Sequence, residues 1–329
     1  MPKISQKNLE IKVYNNIVDE GLIGEGDTVF VALSGGPDSV CLFNILSTLQ
    51  GKLKINLKAC HFNHKLRGVE SEGDQKFVEK LCQKNGVELI VGEWKDKPKN
   101  KNIGEDEARE ARYEFFSKIL ISGRGDEKIA LAHNSGDLAE TFLMRLIRGT
   151  GLKGLKSIPS QRENFIRPLL KFSRSEIENY LKLHNIGYRT DKSNLDTKYL
   201  RNKIRRELLP NLEKINPKIS EVLGISSLSI SDDYDYIVGM AEQKLSSVVV
   251  KEDSNEIVFE RKKWLLLHPA LQRLTLRLLI ERLGGGTDVN FFHIEKARRL
   301  ILKGEGKKGL PLPHHLQIRL ERGNIYLLK

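Results

Sequence analysis

The sequence predicts an α/β protein: a Rossmann-like parallel sheet followed by a smaller α+β domain joined to it by helices. Three observations carry that prediction. Strand-like runs recur at spacings of about 30 residues with helical patterns between them, the mark of parallel βαβ units. A glycine turn, Ser34-Gly35-Gly36-Pro37-Asp38-Ser39, separates a β-branched run from an apolar-periodic one. Beyond Asn216-Pro217 the alternation gives way to long helical segments and a terminal hairpin pattern.

In order, a helix over 8–22 leads to a buried strand, Thr28–Leu33, and the turn opens a helix from Val40. A second strand, Ile55–Phe62, runs into Asn63-His64-Lys65-Leu66-Arg67-Gly68, and a helix over Glu72–Lys84 stops at Asn85-Gly86. A third strand covers Val87–Val91, a charged loop Lys95–Asn102, a helix Gly104–Leu120 and a fourth strand Lys128–Ala132. A helix over Asp137–Arg148 ends at Gly149-Thr150-Gly151, and Asn164–Leu170 reads as a last strand and turn. Ser173 and Glu176 have capping-box spacing at the head of a helix reaching His184. Prolines 210 and 217 place a domain boundary near residue 215, between a domain over 1–215 and a second over 216–329. The second reads as helices over Lys218–Val249, Trp264–Leu283 and Asn290–Lys303, a strand over Glu256–Glu260, and a hairpin of Gln317–Leu320 with Ile325–Leu328.

With 329 residues and 39% hydrophobic content the chain can fill the cores of two domains. Its net charge of +12 and pI near 9.4 fit a polyanionic partner such as nucleic acid, or simply a lysine-rich soluble surface. Cys41, Cys60 and Cys82 lack C-x-x-C spacing and lie in apolar contexts, which predicts reduced, buried thiols and a cytoplasmic location. No apolar signal core is expected at Met1–Asn8, and no run is long enough to span a membrane.

In open α/β sheets ligands bind beyond the carboxyl ends of the strands. There the chain places Ser34–Ser39, His61–Arg67 and His133–Asp137. Gly35 and Gly36 permit positive φ and close approach, and the first N–H groups of the following helix face outward, so the turn can cradle an anion. Ser34 and Ser39 would add hydroxyl donors. The plainer reading is a glycine turn with Asp38 or Ser39 capping the helix. The loop lacks the lysine of a Walker A sequence and has no G-x-G-x-x-G. On Asp137–Arg148, Leu138, Ala139, Phe142, Leu143, Leu146 and Ile147 share one face; Asp137, Glu140, Arg145 and Arg148 share the other. That polar face is either self-paired and solvated or turned to a substrate. The cluster Arg201-Asn202-Lys203-Ile204-Arg205-Arg206 is either a solubilising surface or a phosphate contact. From Val289 onward nine Lys or Arg oppose three Glu, a second basic patch.

The turn resembles the pyrophosphate loop of the ATP-pyrophosphatase superfamily. Several further stretches make nearly the whole chain similar to the tRNA(Ile)-lysidine synthase family. They are Ala108-Arg109-Glu110-Ala111-Arg112-Tyr113, His133 with Asp137 and Glu140-Thr141, Leu143–Gly151, Arg167-Pro168-Leu169-Leu170, Asp191 with Ser193-Asn194, Arg201–Arg205 and Gly306–Pro313. The resemblance implies an adenine-nucleotide α-hydrolase-like fold and a ligase. ATP activates the wobble cytidine of a minor isoleucine tRNA with release of pyrophosphate, and lysine then displaces AMP. It implies ATP contacts from Ala32, Ser34, Gly35, Gly36, Pro37, Asp38, Ser39, His64 and Arg67, and Mg²⁺ held by Asp38 or Asp137. It implies catalytic roles for Asp38, Arg112, His133, Asp137 and Glu140, the last beside the lysine. It implies tRNA contacts from Arg145, Arg148, Arg201, Arg205 and Arg206. Asn63 stands where the family usually has Asp, and Asn134-Ser135-Gly136 where it usually has His-x-Asp, so one carboxylate is missing from each place. The alternatives are a tRNA sulfurtransferase, which would want paired cysteines, and a non-catalytic RNA-binding relative. A homodimer is compatible with the residues but not indicated by them.

Overall fold

The computed structural model describes residues 6–66, 68–94, 104–121, 126–156, 158–189, 200–286, 288–304 and 309–329. The chain divides into two compact units, one of residues 1–148 with 157–227 and one of residues 149–156 with 228–329.

In the first unit, α1 (Gln6–Asp19) precedes β1 (Thr28–Ala32), α2 (Pro37–Leu53), β2 (Asn56–Asn63), α3 (Val69–Lys84) and β3 (Glu88–Glu93). Next come α4 (Glu105–Ile121), β4 (Glu127–Ala130) and α5 (Ser135–Arg148). Residues 149–156, which carry α6 (Leu152–Leu155), belong to the second unit. The chain then returns through β5 (Gln161–Arg162), β6 (Phe165–Ile166) and α7 (Arg174–Leu183). The sheet order is β3-β2-β1-β4-β6-β5, with every pairing parallel except the short β5–β6 hairpin. β1 is central and β-branched, so both faces are covered and alternate residues feed two cores. Val29 and Val31 pack with Val40, Phe43, Leu46 and Ile177; Phe30 packs on the opposite face with Phe116, Ile129 and Phe165. Each such side chain contributes about 1.5–3 kcal/mol when fully buried.

The expected strand over 164–170 is shorter than its pattern. Only Phe165 and Ile166 pair as β6, because the chain turns immediately: Leu170 N–H bonds Arg167 O (3.1 Å) and Phe172 N–H bonds Leu169 O (2.9 Å). The capping box is present, with Ser173 N–H donating to Glu176 Oε2 (3.0 Å) and Glu176 N–H to Ser173 Oγ (3.3 Å). The basic run forms α8 (Leu200–Lys203) and a π-helical turn over Ile204–Leu208, leading into α9 (Leu209–Ile215). Pro210 has no N–H for a carbonyl one turn back, and the wider turn before it accommodates its ring. The polypeptide then enters α10 (Ile219–Val248).

The second unit has a five-stranded antiparallel sheet, order β7-β8-β11-β10-β9, from Val249–Glu252, Glu256–Glu260, Asn324–Leu328, Gln317–Glu321 and Leu310–Pro311. The helix expected over Trp264–Leu283 is two, α11 (Arg261–Leu265) and α12 (Pro269–Arg282). Pro269 cannot continue a helix but suits its first turn, and His268 Nδ1 caps the new one by accepting from Ala270 N–H (3.3 Å). Together with α13 (Phe291–Lys303) these helices cover the sheet around Trp264, whose indole N–H donates to Thr275 Oγ1 (3.0 Å). Cys41, Cys60 and Cys82 are buried and unbridged, and among the described residues no helix is long and apolar enough to cross a membrane.

Candidate active site

The turn after β1 is built by its backbone and braced by its own hydroxyls. Gly35 has φ +88°, the left-handed region that favours glycine, and its carbonyl accepts from Arg189 N–H (2.9 Å). Gly36 is different: φ −72° is open to any residue, so only one of the two glycines is demanded by conformation. Ser34 Oγ and Ser39 Oγ lie 3.0 Å apart; Ser39 Oγ donates to Gly36 O (2.9 Å) and Ser34 Oγ accepts from Gly36 N–H (3.3 Å). The hydroxyls expected to face a ligand are thus committed to holding the loop. Pro37 opens α2, whose first amides lie beside the turn. Ala32 ends β1, and Leu33 N–H bonds Cys60 O (2.8 Å), anchoring the entry.

Asp38, in the first turn of α2, accepts from Asn134 Nδ2 (3.2 Å) on Oδ1 and pairs with Arg174 through Oδ2. Burial raises its carboxyl above the ordinary carboxylate range; Arg174 opposes that shift and the charge of Asp137 adds to it. The two acids therefore feel each other across the mouth of the sheet.

A cavity of about 250 Å³ lies between the ends of β2 and β4, lined by His64, Ala108, Arg109, Arg112, His133, Asp137 and Arg201. His64 meets Phe62 edge-on at 4.8 Å and Trp94 at 6.1 Å. Arg109, which the sequence motif contained but did not single out, stacks on Tyr113 with its guanidinium carbon 4.8 Å from the ring centre. His133 is pulled down to about 4, first by burial, while Asp137 opposes and Arg167, Arg201 and Arg109 add to the fall. It is a neutral imidazole at pH 7, and its buried Nδ1 has no hydrogen-bond partner among the described residues. Behind it Arg167 is 4% exposed and donates to Pro159 O (2.8 Å).

The acids on α5 meet the arginines of α8 and the π-helical turn. Arg201 Nη2 donates to Asp137 Oδ1 and Arg201 Nε to Glu140 Oε2, both at 2.9 Å. Arg205 grips Glu140 through Nε to Oε1 and Nη2 to Oε2, the latter at 3.0 Å, and reaches Asp137 Oδ1 at 3.4 Å. Arg201 and Arg205 therefore aim their guanidinium groups at the acids of α5, Arg205 with its side chain still exposed. Arg206 and Arg148 are exposed, whereas Arg145 is half-buried and its guanidinium is shifted down by that burial. Arg67, the Asp191–Asn194 stretch and the lysines at 307 and 308 lie outside the described residues.

The two departures from the family pattern are structural here. Asn63 Oδ1 accepts from Lys65 N–H (2.8 Å) while its amide donates to Gln75 Oε1 (2.9 Å) and Ser71 O (3.4 Å). A carboxylate could not make those last two bonds. Asn134 caps α5, its Oδ1 accepting from Gly136 N–H (2.8 Å) and Asp137 N–H (3.3 Å).

A glycine-bent turn at the head of α2, set at the carboxyl end of a parallel sheet, defines a PP-loop protein, and residues 5–212 match the PP-loop domain model. Residues 259–326 match the TilS substrate binding domain. The chain is 38% identical over 322 residues to tRNA(Ile)-lysidine synthase of Clostridioides difficile (strain 630), covering 96% of this chain and 70% of that one. It is 37% identical to the enzyme of the same name from Clostridium tetani (96% and 68%), and 33% identical to that of Caldanaerobacter subterraneus subsp. tengcongensis (97% and 68%). A U34-tRNA thiolase from Methanococcus maripaludis shares the fold, with a TM-score of 0.58 at 20% identity over 69% of this chain and 78% of that one. The chain belongs to the tRNA(Ile)-lysidine synthase family.

Proposed function

We propose that this chain is an ATP-dependent ligase that joins the ε-amine of lysine to C2 of the wobble cytidine in a CAU-anticodon isoleucine tRNA, in the cytoplasm. The observation that carries the reading is the convergence of the 34–39 turn, Asp38, His133 and Asp137 at one mouth of the sheet, in a chain of this family.

The triphosphate tail lies against the turn, where the amides at the head of α2 and the helix dipole face its charge. The cytidine O2 attacks the α-phosphorus, the bond to the β-phosphate oxygen breaks, and pyrophosphate leaves. Deprotonated lysine ε-amine then forms the C2–N bond as the C2–O bond breaks and AMP departs. Asp38 and Asp137 would hold Mg²⁺: they are two hard oxygen donors whose mutual repulsion a cation would relieve. Among the described residues no cluster of three or more His, Cys, Asp or Glu is arranged to hold a metal. Bound by Asp38 and Asp137, Mg²⁺ would stabilise negative charge on the departing pyrophosphate.

Arg112 and Arg109 supply positive charge to the cavity, and neutral His133 offers a hydrogen-bonding ring to the base or phosphate rather than a base for protons at pH 7. A carboxylate has about four acceptor sites; Glu140 already takes both Arg205 bonds and one from Arg201. Asp137 likewise takes one bond each from Arg201, Arg205 and the Asn134 N–H, so both acids seat the arginines and each keeps about one acceptor site that can draw in the lysine ammonium. Arg148 and Arg206, with the basic second unit, contact the tRNA backbone. The sulfurtransferase alternative needs accessible thiols; the cysteines are buried, and burial pushes the Cys82 thiol up to about 11.

The test separates the two half-reactions. With α-labelled ATP and the tRNA but no lysine, label should pass to the RNA; adding lysine should chase it off as AMP. Failure to label the RNA, with label instead on a protein or free acid, would sink the proposal.

A further inference from the structure

Asn134 has more to do than cap a helix. It is buried, at 6% exposure, and its polar groups are engaged on two helices, α5 and α2. Its backbone N–H donates to Asp137 Oδ2 (3.0 Å) and its Oδ1 accepts the first amides of α5. Its Nδ2 donates across to Asp38 Oδ1 on α2 (3.2 Å). The partners fix which end of the amide is which: helix amides need an acceptor, and a carboxylate needs a donor. No other small side chain does both. Asp would cap α5 but set oxygen against oxygen at Asp38, and Ser would cap without the amide donor.

Gly136 belongs to the same device. A Cβ there would come within 3.0 Å of Asn134 Oδ1, close enough that the cap would have to shift. Asn134 and Gly136 thus stand together, the small residue leaving room for the amide oxygen.

We infer that Asn134 is a positioning residue for the ligation: it fixes the carboxylate of Asp38 relative to that of Asp137, so that both present oxygens to the same point at the turn. Arg174 holds the other oxygen of Asp38. Without the amide donor Asp38 is restrained on that one side only. This rests on the placement of Asp38 in the reacting site under the proposed function.

The experiment uses the full chain with three variants, Asn134→Ser, Asn134→Asp and Asp38→Asn. It records melting temperature, equilibrium binding of a non-hydrolysable ATP analogue, and steady-state pyrophosphate release with the tRNA. Ser is a good N-cap, so Asn134→Ser should melt within about 2 °C of the parent, while Asn134→Asp, which buries a like charge beside Asp38, should melt lower. Loss of one hydrogen bond to a charged group should lower kcat for Asn134→Ser by about tenfold to thirtyfold, while analogue affinity and KM for ATP stay within about threefold. Asn134→Asp, which sets like charges together, should fall further. Parent-like kcat in Asn134→Ser would overturn the inference, and so would a kcat loss in that variant accompanied by a melting drop of about 6 °C or more, the mark of a fold defect. Asp38→Asn tells the two failures apart. If it releases pyrophosphate at the parent rate, the site assignment falls and this inference with it. If it is slow while Asn134→Ser is normal, only the role of Asn134 falls.

Discussion

The two sides of the reaction cleft are made in different ways. The 34–39 turn is local: one positive-φ glycine, two serine hydroxyls closed on each other, and a helix start, all within six residues. The opposite side, where Asp137 and Glu140 meet Arg201 and Arg205, joins residues 61 to 68 positions apart through charge-assisted hydrogen bonds. The turn presents backbone and can receive any triphosphate. The ionic cluster presents side chains whose partners must all arrive before any is satisfied. The contrast predicts that damage to the turn falls mainly on nucleotide affinity, whereas damage to the cluster falls on stability and turnover together.

The largest effect is expected at Glu140, which is 4% exposed and engages both arginines. Glu140→Ala leaves two guanidinium groups with Asp137 as their one remaining carboxylate partner. Allowing for the exposure of Arg205, it should cost about 2–3 kcal/mol in urea unfolding and reduce lysine incorporation by about a hundredfold or more. A loss under about 0.5 kcal/mol would make this cluster an ordinary surface pair and erase the contrast. Gly35→Ala comes next. The alanine must adopt φ +88° with its methyl 3.5 Å from Phe77, so about 1–2 kcal/mol should go from stability and about tenfold from ATP affinity, with tRNA affinity unchanged. Equal loss of both affinities would show that the turn is not a separate nucleotide element.

A pH series sharpens the cluster side. His133 is held down to about 4, so between there and its ordinary value near 6.5 the unfolded chain binds the proton that the folded chain refuses. Its contribution to stability is complete above about pH 6.5 and is lost as pH falls towards 4. His133→Gln should flatten that part of the stability–pH curve measured by urea midpoint. An unchanged slope would remove His133 from the buried side of the cleft. The smallest effect is expected at Arg206, exposed beside the acid-paired Arg205. Arg206→Ala should weaken tRNA binding severalfold and reduce the slope of log K against log salt by about 1, leaving ATP binding alone.

The same contrast governs what could be read before the fold was known. The turn, the parallel strands and the Ser173–Glu176 capping box are written in contiguous residues, and their spacing foretells them. The split of one expected helix at Pro269 was also available locally, since proline punctuates a helix wherever it stands. The partners of Glu140 were not legible, because a carboxylate on one helix gives no sign of which distant arginines will turn towards it. Neither was the commitment of Ser34 and Ser39 to each other: a hydroxyl reads as a donor whether it faces a ligand or its own loop. Asn63 and Gly136 read as the places of missing acids, and only the bonds of Asn63 and Asn134 reveal amides that donate as well as accept.

One measurement bears most directly on the claim that this cleft joins lysine to a cytidine at the expense of ATP. Labelled lysine and released pyrophosphate are counted together in single reactions on two transcripts of the tRNA, one with the wobble cytidine and one with uridine in its place. Equal molar yields of RNA-bound lysine and pyrophosphate on the first, and neither on the second, are predicted. Pyrophosphate without bound lysine, or equal lysine on both transcripts, would contradict it.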